Sequence, residues 1–320
     1  MSNYGILDTR FRTSLDRMAE AGRVQLYSAK VDPILEVAGI MKKLDNGPAI
    51  LFSKVDGYEV PLIGNLISCQ ANVEAAFGVD FRSLREFVTR AMGDPKPPVM
   101  VERAPAQEHV HTKDFDIGKM FPVLKHTAGD NGRFITAGII IAQDPETKVY
   151  NASYHRMQLA GPNRTGIRLD LGRHLRIAWE KAKKKGEALP IVVCIGADLS
   201  LHYTASTMGS QMPEHADELA VAGGLCGRPL PVVKAITQDL LVPAETEIVL
   251  EGRILPDETI PEGPFGEFVG YLAPSEPMPV VEITAVTHRT KPIFGNRFGI
   301  KRLNVAFSMP GCWGLALVPI

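Results

Sequence analysis

The chain has 320 residues, 45% of them hydrophobic and 22% charged, enough to bury a substantial core and to make two domains the expectation. Its 35 basic and 36 acidic residues leave a formal net charge of −1, so there is no electrostatic case for a nucleic acid or a membrane surface as partner. A small molecule is the better expectation.

The four cysteines, Cys69, Cys194, Cys226 and Cys312, are scattered without a Cys-x-x-Cys pair, as core thiols of a reducing compartment would be. Asp8, Arg10, Arg12, Asp16, Arg17 and Glu20 leave no apolar signal region near the start, and no apolar run reaches the roughly 18 residues a bilayer needs. A cytoplasmic protein is expected.

Apolar positions at Phe11, Leu15, Met18 and Ala19 predict a short amphipathic helix over 11–21, ended by Gly22. Residues 24–31 alternate like a strand, and Asp32-Pro33 supplies a cap and first-turn proline for a helix to about residue 44. Strands over 49–55 and 58–66 flank Asp56-Gly57, a hairpin signal. A helix over 83–92 precedes Gly93-Asp-Pro-Lys-Pro-Pro98, and this proline-rich stretch with the polar run to Phe115 predicts a linker or surface crossing. A domain boundary is therefore placed there, giving units at 1–110, 111–295 and 296–320.

Beyond it, 134–141 is a β-branched run, Asp144-Pro-Glu-Thr is a turn, and 149–159 returns as the partner strand carrying Asn151 and Arg156. Their odd separation puts them on opposite faces of an ideal strand, so a bulge or strand end must intervene if both line one site. Leu175, Ile177, Ala178 and Ala182, followed by a lysine cluster, predict a helix whose C-terminal end is cationic. Further strands over 189–196, 232–236, 247–254 and 280–287, with one helix over 216–226, predict a sheet-rich or barrel-like second domain.

In the segment 258–271, Glu262-Gly-Pro-Phe-Gly-Glu267 places two carboxylates around a glycine–proline core that cannot be a helix interior, so the segment is expected to be a tight loop. Two carboxylates close together with a cation between them can keep one ionised while the other holds a proton near neutral pH. Asn151, His174 and Glu218 offer an amide oxygen, an imidazole nitrogen and a carboxylate, a set that suits Mn²⁺ or Mg²⁺ better than structural zinc. By spacing alone His174 reads as a helix-start histidine. His155 is expected to point away from Arg156 and reads as structural.

Asn151 to Arg156, Arg173-His174, Asp217-Glu218 and the Glu262–Glu267 segment, in this order, resemble the UbiD family of prenylated-flavin-dependent decarboxylases over roughly residues 10–295. The resemblance implies an α+β fold: a small N-terminal α/β domain, then a flavin-reductase-like split β-barrel domain, with the usual C-terminal α/β domain largely missing. It implies that Asn151, His174 and Glu218 hold Mn²⁺ or Mg²⁺ against the phosphate of prenylated FMN, and it admits K⁺ as well. Arg156, Glu262 and Glu267 become a catalytic network with Glu267 as proton donor. Ser153, Arg156 and Arg173 match cofactor-contacting positions, and Ser210, Met212 and Pro213 approximate a cofactor loop. The tail over 303–320 resembles a strand of the later domain.

The activity so implied is reversible, non-oxidative decarboxylation of an aromatic, heteroaromatic or α,β-unsaturated carboxylic acid by a homo-oligomer. A flavin prenyltransferase would be the cofactor source. Two other readings are a non-catalytic flavin-binding or assembly subunit and, from the Asn/His/Glu trio alone, a flavin-free metal hydrolase.

Overall fold

The computed structural model describes residues 5–206, 216–267 and 270–296. Segments rich in isoleucine and valine build its centre, a nine-stranded sheet whose path runs 134–135, 157–159, 164–167, 276–288, 248–262, 189–195, 139–143, 150–154, with 109–111 added on the strand 276–288. The path does not close on itself, so the sheet curls into a half-barrel. The curl has a local cause. Where Ile248–Glu262 pairs with Glu276–His288, the register slips between Glu251 and Gly252 and again between Ile254 and Thr259, and such irregularities bend a strand and increase its twist.

Alternation divides the strands between two cores. Ile140, Val193, Ile195, Ile248 and Leu250 face one core, which the helix His174–Lys184 covers with Leu175, Ala178, Trp179 and Ala182. Ile139, Ile141, Val192, Cys194 and Val249 face the other, which is shared with Phe11, Met18, Phe77 and Leu84 of the N-terminal helices and with the helix Glu218–Cys226. That helix is apolar on all sides except at its first residue and is buried along its whole length.

The N-terminal region forms a four-stranded sheet. Val24–Tyr27 runs parallel to Ala49–Phe52, which pairs antiparallel with Leu62–Gly64, and Phe294–Gly295 adds in parallel to that strand. The expected hairpin is present with a longer connection, because Val55 is drawn into a bridge with Val31 instead of extending the strand. The helix expected from Pro33 begins at Glu36, since Ile34 bridges to Lys125 and Leu35 sits at φ 72°.

Two further expectations are corrected. Residues 95–115 are no free linker: Val99–Met100 pairs with Pro231–Lys234, and His109–His111 pairs with the end of Glu276–His288. Residues 258–262 are not loop but the end of the strand Ile248–Glu262, with Glu262 opposite Glu276. Its prolines stop ladder bonds only at their own positions, which the sheet tolerates at such an irregular stretch. No helix among the described residues is long and apolar enough to cross a membrane.

Candidate active site

The parity problem between Asn151 and Arg156 is solved by a strand end. Among the described residues Tyr150–Tyr154 pairs only with Ile139–Gln143, whereas Met157–Leu159 pairs with Phe134–Ile135 and Arg164–Ile167. His155 and Arg156 are the crossing between these two ladders and belong to neither. Free of the strand period, Arg156 turns into the interior, where it is 2% exposed.

There it meets both carboxylates. Arg156 Nε and Nη2 donate to the two oxygens of Glu262 at 2.7 and 3.0 Å, a bidentate fork, and Nη1 donates to Glu267 Oε1. Glu262 is fully buried, and the guanidinium lies 4.7 Å above the ring of Phe265, which closes its remaining face. One cation is thus shared between two buried carboxylates, which leaves the group one negative charge in excess if both ionise. Burial pushes the Glu267 carboxyl up from its ordinary value, against the lowering effect of Arg156.

The segment that carries these carboxylates is held by its backbone. Gly263 N donates to Gln158 Oε1 at 2.8 Å, Pro264 O accepts from Asn131 N at 2.9 Å, and Gly266 N donates to Asp130 Oδ1 at 2.8 Å. Asp130 is itself fixed by His126 N at 3.0 Å, Thr127 N at 2.8 Å and Thr127 Oγ1 at 2.6 Å. Gly263 stands at φ +88°, a conformation L residues rarely adopt, and a Cβ on Gly266 would come within 2.5 Å of Thr127 Cγ2. Asp130, Asn131 and Gln158 were not singled out in the sequence, although Asp130-Asn-Gly is a turn signal.

Asn151, Ser153 and His155 share the other face of the strand end. Asn151 reaches Glu218 Oε1 at 3.0 Å, and His174 Nδ1 lies 3.9 Å from the same oxygen, so the three expected ligands converge. Helix starts deliver two of them: His174 opens His174–Lys184 after Arg173, and Glu218 opens Glu218–Cys226 after Asp217, whose carboxylate accepts from Leu219 N and Ala220 N. Glu218 is 4% exposed, and burial raises its pKa against the lowering influence of the nearby His174. Its second oxygen, Oε2, is buried without a hydrogen-bond partner.

An orphaned carboxylate oxygen beside an imidazole and an amide is what a hard or borderline divalent cation would satisfy, so these residues fit one. Among the described residues no three His, Cys, Asp or Glu side chains gather, so Asn151 is needed as the third donor. Arg173 is half-buried at the N-cap of the helix beside this cluster. Ser210, Met212 and Pro213 lie outside the described residues. On the opposite face of the strand, Tyr154 lines a small pocket, partly open to solvent, together with Phe11, Ile63, Ala137, His202 and Asn296.

The chain that carries these two groups matches known proteins over most of its length. Residues 99–300 match the 3-octaprenyl-4-hydroxybenzoate carboxy-lyase Rift-related domain, and residues 15–92 match the N-terminal domain of the same carboxy-lyase. The chain belongs to the UbiD family.

An evolved dimeric form of the UbiD-class enzyme HmfF from Pelotomaculum thermopropionicum, solved in complex with prFMN, superposes with a TM-score of 0.87 at 38% identity, over 91% of this chain and 68% of that one. The closed form of vanillic acid decarboxylase from Sedimentibacter hydroxybenzoicus superposes with a TM-score of 0.86 at 30% identity, over 91% of this chain and 64% of that one. An uncharacterised protein of the cooM 5' region of Rhodospirillum rubrum is 33% identical over 285 residues, 88% of this chain and 61% of the relative. The chain thus spans about three fifths of the length of the curated relatives it matches.

Proposed function

We propose that the chain carries the cofactor-binding and proton-transfer machinery of a decarboxylase that uses prenylated FMN and acts reversibly on an aromatic, heteroaromatic or α,β-unsaturated carboxylic acid. The observation that carries this reading is the buried Arg156 shared between Glu262 and Glu267. Prenylated FMN, when bound, supplies the electron sink that loss of CO₂ requires.

The protein's own residues supply position and protons. Glu262, gripped by both prongs of Arg156, keeps the guanidinium in place. Glu267, held through one nitrogen and raised in pKa by burial, holds a proton at its carboxyl and gives it to the carbon that has lost CO₂. In the carboxylation direction the same carboxylate takes the proton back. Asn151, His174 and Glu218 would hold a divalent cation, Mn²⁺ or Mg²⁺, which neutralises the cofactor phosphate, and Ser153 and Arg173 lie beside that cluster.

The test is to produce the protein together with a flavin prenyltransferase, add Mn²⁺, and measure CO₂ release from a panel of acids of the three classes. Release from at least one acid, dependent on the prenyltransferase, is expected. Bound prenylated FMN with no release from any of them would contradict the reading.

A further inference from the structure

We propose that His155 is a positioning residue for the cation cluster, acting through Ser153 to turn the Asn151 amide so that its oxygen faces Glu218. The inference rests on the reading of Asn151, His174 and Glu218 as cation ligands.

It follows from counting hydrogens along one chain of contacts. His155 Nδ1 lies 2.8 Å from Arg168 O, which can only accept, so Nδ1 carries a hydrogen. In a neutral imidazole Nε2 is then a bare acceptor, and it lies 3.1 Å from Ser153 Oγ. The single hydrogen of Ser153 is the one that fills this contact. Ser153 Oγ is also 3.0 Å from the Asn151 amide, and with its hydrogen spent it must accept there. Asn151 therefore presents its NH₂ to Ser153 and its oxygen to Glu218.

The amide has two orientations of the same shape, related by a half-turn, and hydrogen bonding decides between them. With the NH₂ toward Glu218 Oε1 at 3.0 Å, that carboxylate gains a donor, but Ser153 must then give its hydrogen to Asn151. Ser153 Oγ and His155 Nε2 are left facing each other with no hydrogen between them. With the amide turned, every contact from Arg168 to Asn151 is made, and the mismatch moves to Asn151 and Glu218, where two oxygens stand 3.0 Å apart. A cation resolves that mismatch, because two oxygens at this spacing, the buried Oε2 of Glu218 and His174 Nδ1 then become its donors.

His155 is buried, which disfavours its charged form and so supports the neutral ring the count requires. The arrangement is of the kind by which residues behind the ligands orient them and tune affinity. Only the spacing of Asn151, Ser153 and His155, each two residues on along a strand end, brings the three into line.

The experiment is a double-mutant cycle on Mn²⁺ affinity, read from the electron paramagnetic resonance signal of free Mn²⁺ at one fixed pH, without flavin. His155→Phe and Ser153→Ala are each expected to weaken Mn²⁺ binding by about 10- to 100-fold, the usual effect of losing a partner behind a ligand. The double variant should bind no more weakly than the worse single one, since both changes break the same chain. Losses that multiply, or a His155 variant that binds like wild type, would overturn the relay while leaving the cation site standing. Wild type that binds no Mn²⁺ would overturn the cation site and the relay with it. Thermal unfolding in EDTA monitors the fold, and His155→Ala runs in the same cycle should the larger phenylalanine not be accommodated.

Discussion

Arg156 grips Glu262 with two parallel hydrogen bonds, from Nε at 2.7 Å and Nη2 at 3.0 Å, and the two side chains are only 2% and 0% exposed. The asymmetry matters because Glu267 receives only one nitrogen of the same guanidinium. Glu262 is thereby the more firmly held of the two carboxylates, an asymmetry that the proposed role of Glu267 as proton donor requires.

Removing the cation strands two buried carboxylates, so Arg156→Met is expected to cost about 3–5 kcal/mol of stability, the range for breaking a buried ion pair on one side. Arg156→Lys keeps a charge without the fork and should cost less. Thermal and urea unfolding of the two variants measure the difference. In the Met variant the pKa of Glu267 should rise further, since Arg156 lowers it, and the alkaline limb of any remaining pH–rate profile should move upward.

The raised pKa of Glu267 also fixes the sign of a stability effect. A group whose pKa is higher folded than unfolded contributes stability that is full below the ordinary glutamate value and is lost as pH rises through the folded value. Relative to Glu267→Gln, which cannot titrate, wild type should therefore lose stability as pH rises from the ordinary glutamate value toward neutrality. Parallel unfolding curves of the two proteins against pH check this, and a constant gap would mean that Glu267 does not titrate in that window.

Glu218 is a buried carboxylate with one unpartnered oxygen, so its charge is a burden to the metal-free protein. Glu218→Gln is expected to leave stability in EDTA near neutral pH undiminished while weakening Mn²⁺ binding by at least about tenfold. Calorimetric unfolding with and without Mn²⁺ reads both effects on one sample.

Asp130 joins the turn at 126–131 to the backbone of Gly266, one residue before Glu267. Asp130→Asn turns one acceptor oxygen into a donor facing N–H groups, and each lost hydrogen bond to a charged group costs about 1.5–3 kcal/mol. The expected outcome is a fall in turnover with Mn²⁺ affinity unchanged, because the cation cluster is carried by other elements. An equal fall in both would mean general loosening of the fold.

Much of this arrangement was legible in the residues. The β-branched runs, the helix after Arg173 and the helix closed by Gly227 follow from period and capping, and these elements bring His174 and Glu218 to one point. Residues 258–262 were not legible as strand, because proline and glycine outweigh local pattern while the pairing partner at 276–279 is distant in sequence. Parity along 149–159 correctly signalled a break, but its place after Tyr154 depends on which neighbours each half finds. The hold on the segment 263–267 by Asp130 and Gln158 spans contacts of more than one hundred residues, for which no local signal exists.

The most direct test of Glu267 as proton donor follows deuterium. With the protein loaded with prenylated FMN and Mn²⁺ in D₂O, wild type is expected to place one deuterium on the carbon that loses CO₂. Glu267→Gln, with cofactor bound and fold intact, should be slower by about 10²-fold or more, the scale of a general acid. A Glu267→Gln protein that labels the product at the wild-type rate would contradict the account.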